Sequence, residues 1–204
     1  MARYTGPKVK ISRRLGVNIF ENEKGRKALD RRPYPPGEHG RSRRRQPSEY
    51  SMQLQEKQKA KYIYGVLERQ FSNTYKEANR QKGVTGENLL RMLELRLDNI
   101  VFRAGWASSR PQARQFVSHG FVNVNGKRLD IPSYRARKGD VISLRPKSRE
   151  MIVVRHNIDT LDRITPAWLE KGEDGQQVTV RDLPLRDQID VPVREQLIVE
   201  LYSK

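Results

Sequence analysis

The chain of 204 residues has no cysteine. Disulfides, thiolate metal centres and cysteine nucleophiles are excluded, and the composition fits a reducing cytoplasm. Histidine is nearly as scarce: His39, His119 and His156 lie far apart, in no metal-ligand spacing. No apolar run approaches the ~18 residues of a membrane span. The start, Met1-Ala2-Arg3-Tyr4-Thr5-Gly6-Pro7, has no hydrophobic signal-peptide core. Phosphate-binding Walker loops, dinucleotide fingerprints and G-x-S-x-G elbows are absent from the sequence. The expectation is a soluble cytoplasmic protein that is not an enzyme and uses no metal, cofactor or membrane.

Acidic residues are the other shortage. Against 24 Asp and Glu stand 41 Lys and Arg, a formal net charge of +17. Such a chain repels itself, and a polyanion is its natural neutraliser. The excess is local: residues 1–50 carry 14 basic and 5 acidic side chains, whereas residues 151–204 carry 7 and 10. Only 35 % of residues are hydrophobic, so a core is possible but lean.

Residues 1–47 read as a basic extended arm with little regular structure. Pro33, Pro35 and Pro36 forbid a helix there. Arg41-Ser42-Arg43-Arg44-Arg45 needs a counter-charge before it orders. Tyr4, Phe20, Tyr34 and His39 are interleaved with these cations, and planar rings can stack on bases. The spacing predicts a helix over 48–64 capped by Ser48, and a second over 66–82 with Leu67, Phe71, Tyr75 and Ala78 on one face. A third begins at Thr85 and runs through Leu89, Leu93, Leu97, Ile100 and Ala104 to Gly105.

From Arg96 onward the pattern changes. A short helix over 110–119, capped by Ser108 or Ser109, places Arg110 and Arg114 together on an exposed flank, a geometry suited to phosphate. Phe121-Val122-Asn123-Val124 alternates as a strand, and Asn125-Gly126 is a strong type I′ hairpin signal. Lys127-Arg128-Leu129 returns, and the turn Lys138-Gly139-Asp140 leads into Val141-Ile142-Ser143-Leu144. Beyond lie a possible helix over 149–159, a linker to Ala167, a short strand at 178–180 and a C-terminal helix over 193–202. That helix carries Leu197, Ile198 and Leu201, which need a partner surface. Arg96-Leu97-Asp98 is similar to a short signature of pseudouridine synthases, but it lies in an amphipathic helix with no separate catalytic domain of useful size, so a salt-bridging Asp98 is expected.

Arg96-Leu97-Asp98, Gly105, Ser109-Arg110, Ala113-Arg114, Gly120 and Val124-Asn125-Gly126 resemble, in register, the helical-hairpin RNA-binding module shared by RNA-modifying and translation proteins. Arg31-Arg32-Pro33-Tyr34-Pro35-Pro36-Gly37, Tyr64-Gly65-Val66-Leu67-Glu68-Arg69-Gln70-Phe71 and the ending Glu195-Gln196-Leu197-Ile198-Val199-Glu200-Leu201-Tyr202-Ser203-Lys204 extend the resemblance to the whole length of one family, the bacterial S-four family of small-subunit ribosomal proteins. The resemblance implies an α+β fold: a helical domain, a helical-hairpin module with antiparallel β structure, and the arm. The expected divisions are 1–47, 48–95 with 185–204 packing back on it, and 96–184 with its core at 96–158. It implies primary binding to the five-prime domain of small-subunit ribosomal RNA and nucleation of subunit assembly. It also implies small-subunit proteins five and three as neighbours, mRNA near the channel through which it enters, and a part in decoding accuracy. Many relatives hold the arm with a cysteine-rich zinc site, which this chain lacks.

The expected RNA contacts fall in three groups. In the arm they are Arg3, Arg13, Arg14, Arg43, Arg44 and Arg45, with Tyr34 and His39 for stacking. The helical part offers Lys57, Lys59 and Arg69. The module offers Arg103, Ser109, Arg110, Arg114 and Asn125, then Lys127, Arg135, Arg137 and Lys138. The rival readings are a free-standing translational regulator and an RNA-modifying enzyme.

Overall fold

The computed structural model describes residues 4–42, 46–161 and 163–203, and the chain divides into two units, Met1–Leu89 with Val191–Lys204 and Leu90–Asp190. In the first unit, residues expected to have little regular structure form two helices, α1 (Lys8–Leu15) and α2 (Glu23–Arg31). Local end signals account for both: α1 has no side-chain cap but ends at Gly16 with φ 69°, whereas α2 has a side-chain N-cap. The Asn22 side chain accepts a 2.7 Å hydrogen bond from the Gly25 amide, closing the first turn of α2. A charge-based reading does not register such caps. The proline segment stays irregular and ends in a short 3-10 turn, Glu38–Arg41. It is stapled to α1 by Arg13, whose guanidinium donates to the carbonyls of Tyr34 at 3.0 Å and Pro35 at 3.3 Å.

Helix α3 (Glu49–Ile63) starts at Ser48, whose hydroxyl accepts from the Ser51 amide, and α4 (Glu68–Arg80) buries Phe71, Tyr75 and Ala78. Leu67, expected on that face, precedes α4 and is exposed. The last helix, α10 (Glu195–Tyr202), packs on α3 and buries Ile198 completely. Its Tyr202 ring stacks on Tyr75 with centroids 4.4 Å apart, and its hydroxyl donates to Glu68 at 3.1 Å. Burial, then the Glu68 charge, push the Tyr202 phenol well above its ordinary pKa.

The single helix expected from Thr85 to Gly105 is two, α5 (Thr85–Glu94) and α6 (Leu97–Arg103). Arg96 is extended, at φ −65° and ψ 138°. The backbone there pairs across to a distant segment: Leu97 N–H donates to Tyr134 O at 2.8 Å, and Ala136 N–H donates to Leu95 O at 2.9 Å. Helical periodicity carries no trace of this non-local pairing.

Helix α7 (Arg110–Ser118) packs on α6. Then come β1 (Val122–Val124), β2 (Lys127–Arg128), β3 (Val141–Leu144), α8 (Pro146–Arg149) and α9 (Ile152–Thr160), followed by β4 (Leu169–Lys171) and β5 (Gln177–Val180). The strands form one antiparallel sheet in the order β2-β1-β3-β5-β4. Val122, Val124, Ile142, Leu144, Val178 and Val180 bury one face against α6, α7 and Trp106. The chain is thus α+β, with the lean apolar content of this unit gathered in one core.

Truncating Ile198 removes a fully buried side chain from the α10 face. Ile198→Ala is expected to cost about 2–4 kcal/mol, seen as a lower urea midpoint with an unchanged m-value.

Candidate nucleic-acid interface

The cations of the second unit sort into an inner and an outer set. The inner set is built around α6. Arg96 forms a two-pronged ion pair with Asp98, Nε to Oδ1 at 3.0 Å and NH2 to Oδ2 at 2.7 Å, with both side chains almost wholly buried. Arg114 reaches the same carboxylate at 3.5 Å. Burial lowers the Arg114 pKa, the Asp98 charge opposes this, and Arg96 adds to it. Arg103 grips the fully buried Glu94 carboxylate at 2.8 and 3.1 Å, and Asn99 donates to the same carboxylate at 2.7 Å. Arg110 donates from Nε to Asn99 Oδ1 at 2.9 Å and lies over the Phe102 ring, 4.2 Å from its centroid.

This corrects the expected exposure of the arginine helix. Arg110 is only 8 % exposed, and Arg114 and Arg103 are half-buried in ion pairs. A helical wheel gives the direction of a side chain but not what covers it, and here α6 covers it. Ser109 occupies the N-cap position of α7 without a side-chain cap, while Ser108 donates from both its amide and hydroxyl to Gln112.

The hairpin supplies the outer set. Asn125 and Gly126 take φ of 49° and 78°, as the type I′ turn requires. The Asn125 side chain, expected to face RNA, is committed within the fold: it donates to Asp140 Oδ1 at 2.9 Å and accepts from the Val141 amide at 2.9 Å. Asp140 Oδ2 also accepts from the Tyr134 hydroxyl at 3.0 Å and the Arg137 amide at 2.8 Å. Burial pushes the Asp140 carboxyl up, but these hydrogen bonds and the Arg137 charge outweigh it and hold its pKa below the ordinary value. This carboxylate, passed over in the sequence, ties the β1–β2 turn to the loop before β3. Around it Lys127, Arg128, Arg137 and Lys138 are exposed, and Arg135 is half-buried where it bridges Arg96. Arg128 was also missed; its guanidinium lies over Gly120, where a built Cβ would sit 2.4 Å from Nε. Its place in a two-residue strand beside Lys127 is the signal that could have found it. Lys138 meets Asp182 at 3.3 Å, but both side chains are largely exposed, so the pair is weak.

In the first unit, Tyr34 is not a bare platform. The Arg13 and Arg41 guanidiniums lie 5.1 and 4.8 Å from its ring centroid, and Arg41 donates to its hydroxyl at 2.9 Å. Arg13 serves as a staple, whereas Arg14, His39 and Arg41 are exposed. Lys57 is paired with Glu68 at 2.7 Å and Lys59 with Glu56 at 2.6 Å, so both carry partners within the fold. Arg69 is exposed. Arg3, Arg43, Arg44 and Arg45 lie outside the described residues. No group of three or more His, Cys, Asp or Glu that could hold a metal ion occurs among the described residues, and none of their helices is long and apolar enough to cross a membrane.

Asp98→Ala would leave Arg96 buried without its counter-charge. It is expected to cost about 3–5 kcal/mol, measured by chemical denaturation. Asp140 gives a pH signature. Its lowered native pKa means the stabilisation is full above the unfolded carboxylate value near 3.9 and is lost as pH falls through the native value. The stability difference between the native chain and Asp140→Asn is expected to shrink as pH drops below about 4; a difference that is constant with pH would contradict this.

Comparison with known proteins places these units on a family. The model for the ribosomal protein S4/S9 N-terminal domain matches residues 3–94, and that for the S4 domain matches residues 95–142. Over the full length of both chains, the sequence is 56 % identical to the small ribosomal subunit protein uS4 of a Nocardioides species and 56 % identical to that of Corynebacterium ammoniagenes. It is 53 % identical, again at full coverage, to that of a Thermoanaerobacter species.

Proposed function

Because the chain belongs to the uS4 family of small ribosomal subunit proteins, we propose that it is a structural constituent of the cytoplasmic small subunit and binds small-subunit ribosomal RNA. The observation that carries the mechanism is the partition of its cations. Arg96, Arg103, Arg110 and Arg114 are held inside by Asp98, Glu94 and Asn99, so they shape the module. Lys127, Arg128, Arg137 and Lys138 point outward from a turn fixed by Asp140, so they are presented to phosphate. A-form RNA hides its major groove from side chains, and recognition then runs through phosphates, 2′-hydroxyls and unstacked bases. Exposed Arg14, His39 and Arg41 extend the contacts in the arm, together with Arg3 and Arg43 to Arg45. The role is structural: Asp98, the one residue with a catalytic look-alike, is locked to Arg96.

The finer reading follows the family resemblance. The RNA target is the five-prime domain, and binding nucleates assembly of the subunit body. Proteins five and three are the neighbours, near the channel where mRNA enters, and the contact with protein five bears on decoding accuracy. In this reading residues 1–47 act as the arm, 48–95 as the helical domain and 96–184 as the module with its extension.

The test is binding to the isolated five-prime domain RNA and to a random duplex of equal length across a salt series. A preference for the ribosomal RNA that persists at physiological salt is expected, with Lys127→Ala or Arg137→Ala each lowering the salt slope by about one unit. Equal affinity for both RNAs, collapsing with salt, would overturn the proposal and favour a free-standing regulator.

A further inference from the structure

Asn125 is the one asparagine of the chain that precedes a glycine; every other is followed by a residue with a side chain. Before a glycine, the next backbone nitrogen can approach an asparagine side chain with no Cβ in the way. Both residues are exposed to water, and apart from chain neighbours no heavy atom lies within 4 Å of a Cβ built on Gly126. The restraint on Asn125 is therefore not steric cover but its own amide. Nδ2 donates to Asp140 Oδ1 at 2.9 Å, and Oδ1 accepts from the Val141 amide at 2.9 Å. The Asn125 backbone amide also donates to Val141 O at 2.8 Å. Both ends of the side-chain amide are thus tied to the start of β3. Turning its carbonyl carbon onto the Gly126 nitrogen requires both bonds to break.

We propose that Asn125-Gly126 is a spontaneous deamidation site which the folded hairpin keeps closed, and that a chain left open there loses its phosphate-facing turn. The Gly126 backbone nitrogen attacks Asn125 Cγ, the Cγ–Nδ2 bond breaks, and ammonia leaves with the proton given up by the Gly126 amide. Water then opens the cyclic imide at either carbonyl, leaving aspartate or isoaspartate, and no other reactant is consumed. Either product damages the turn. Aspartate can still accept from the Val141 amide, but its second oxygen faces Asp140 Oδ1 with no proton between them, and like charges so close repel. Isoaspartate carries the main chain through the side-chain carbon, and the added atom breaks the two-residue turn that sets Val124 opposite Lys127. Lys127 and Arg128 on β2, and Arg137 and Lys138 on the loop that Asp140 fixes, then lose their common frame. The effect on RNA rests on the reading of the chain as a ribosomal-RNA binder; the modification itself does not.

The test ages the full chain in mildly alkaline buffer, native and in urea, and follows every asparagine by peptide mapping with mass spectrometry. In urea Asn125 is expected to react ahead of all the others. In the native chain it should react at least roughly tenfold more slowly, because attack then waits on local opening. Chain aged in urea is next refolded and mixed with a limiting amount of the five-prime domain RNA. Chain held in urea at mildly acidic pH, where the attack is slow, controls for damage by urea alone. The RNA-bound fraction is expected to be enriched in intact Asn125, and the modified chain to bind with a salt slope lower by about one to two units. Asn125→Asp supplies one product directly. Its thermal midpoint should lie below that of the native chain at neutral pH and approach it as pH falls through about 4, where the facing carboxylates protonate. Equal rates in the native chain and in urea would overturn the protection. Modified chain found in the bound fraction in proportion to its abundance, with an Asn125→Asp midpoint equal to the native one, would overturn the consequence. An intact chain without preference for the ribosomal RNA would overturn the RNA-binding reading, while the two rates and the midpoint still judge the modification.

Discussion

The Arg96–Asp98 ion pair, closed by bonds of 2.7 and 3.0 Å between side chains with almost no exposure, is the point on which the module turns. It sits where the chain leaves helical geometry, with Arg96 extended and Asp98 in the first turn of α6. A carboxylate in the first turn favours the helix start through the macrodipole. The flanking backbone amides of Leu97 and Asp98 donate to Tyr134 and Pro132, drawing the loop after β2 onto α6. Buried charges are tolerated only when paired and hydrogen-bonded. Asp98 is paired twice, and Glu94 repeats the device with Arg103 and Asn99. Helix, loop and hairpin are therefore tied by ionic contacts in addition to the apolar core, in a chain with only 35 % hydrophobic residues.

The same economy governs the outer surface. Asp140 accepts hydrogen bonds from the Asn125 amide, the Tyr134 hydroxyl and the Arg137 backbone, and so fixes the loops that carry Lys127, Arg137 and Lys138. In the first unit Tyr34 holds Arg13 and Arg41 about its ring. In both places a side chain without positive charge sets the position of neighbouring cations. A ligand whose charge is spread along a backbone is recognised by the spacing of such cations more than by any one of them.

Much of this was legible. Ser48 and the Phe71, Tyr75, Ala78 stripe announced α3 and α4, and Asn125-Gly126 announced the hairpin because few residue pairs accept positive φ twice. The α+β class and the family followed from motifs in register. The rest depends on contacts between distant segments. The break at Arg96 requires the 134–136 strand-like pairing, and the burial of Arg110 and Arg114 requires knowing that α6 lies over them. In the arm, α2 is capped by Asn22 and α1 closes on Gly16 at φ 69°, local signals that a reading weighted toward charge and proline passes over.

The central claim is that cations inside the fold shape it and cations outside it meet RNA. Arginine-specific chemical modification, read residue by residue by mass spectrometry with and without five-prime domain RNA, tests this most directly. The account predicts that Arg96 and Arg110 stay unreactive in both states, and that Arg41, Arg128 and Arg137 are reactive alone and protected in the complex. Reactive Arg110 that becomes protected by RNA, with no change at Arg128 and Arg137, would contradict it.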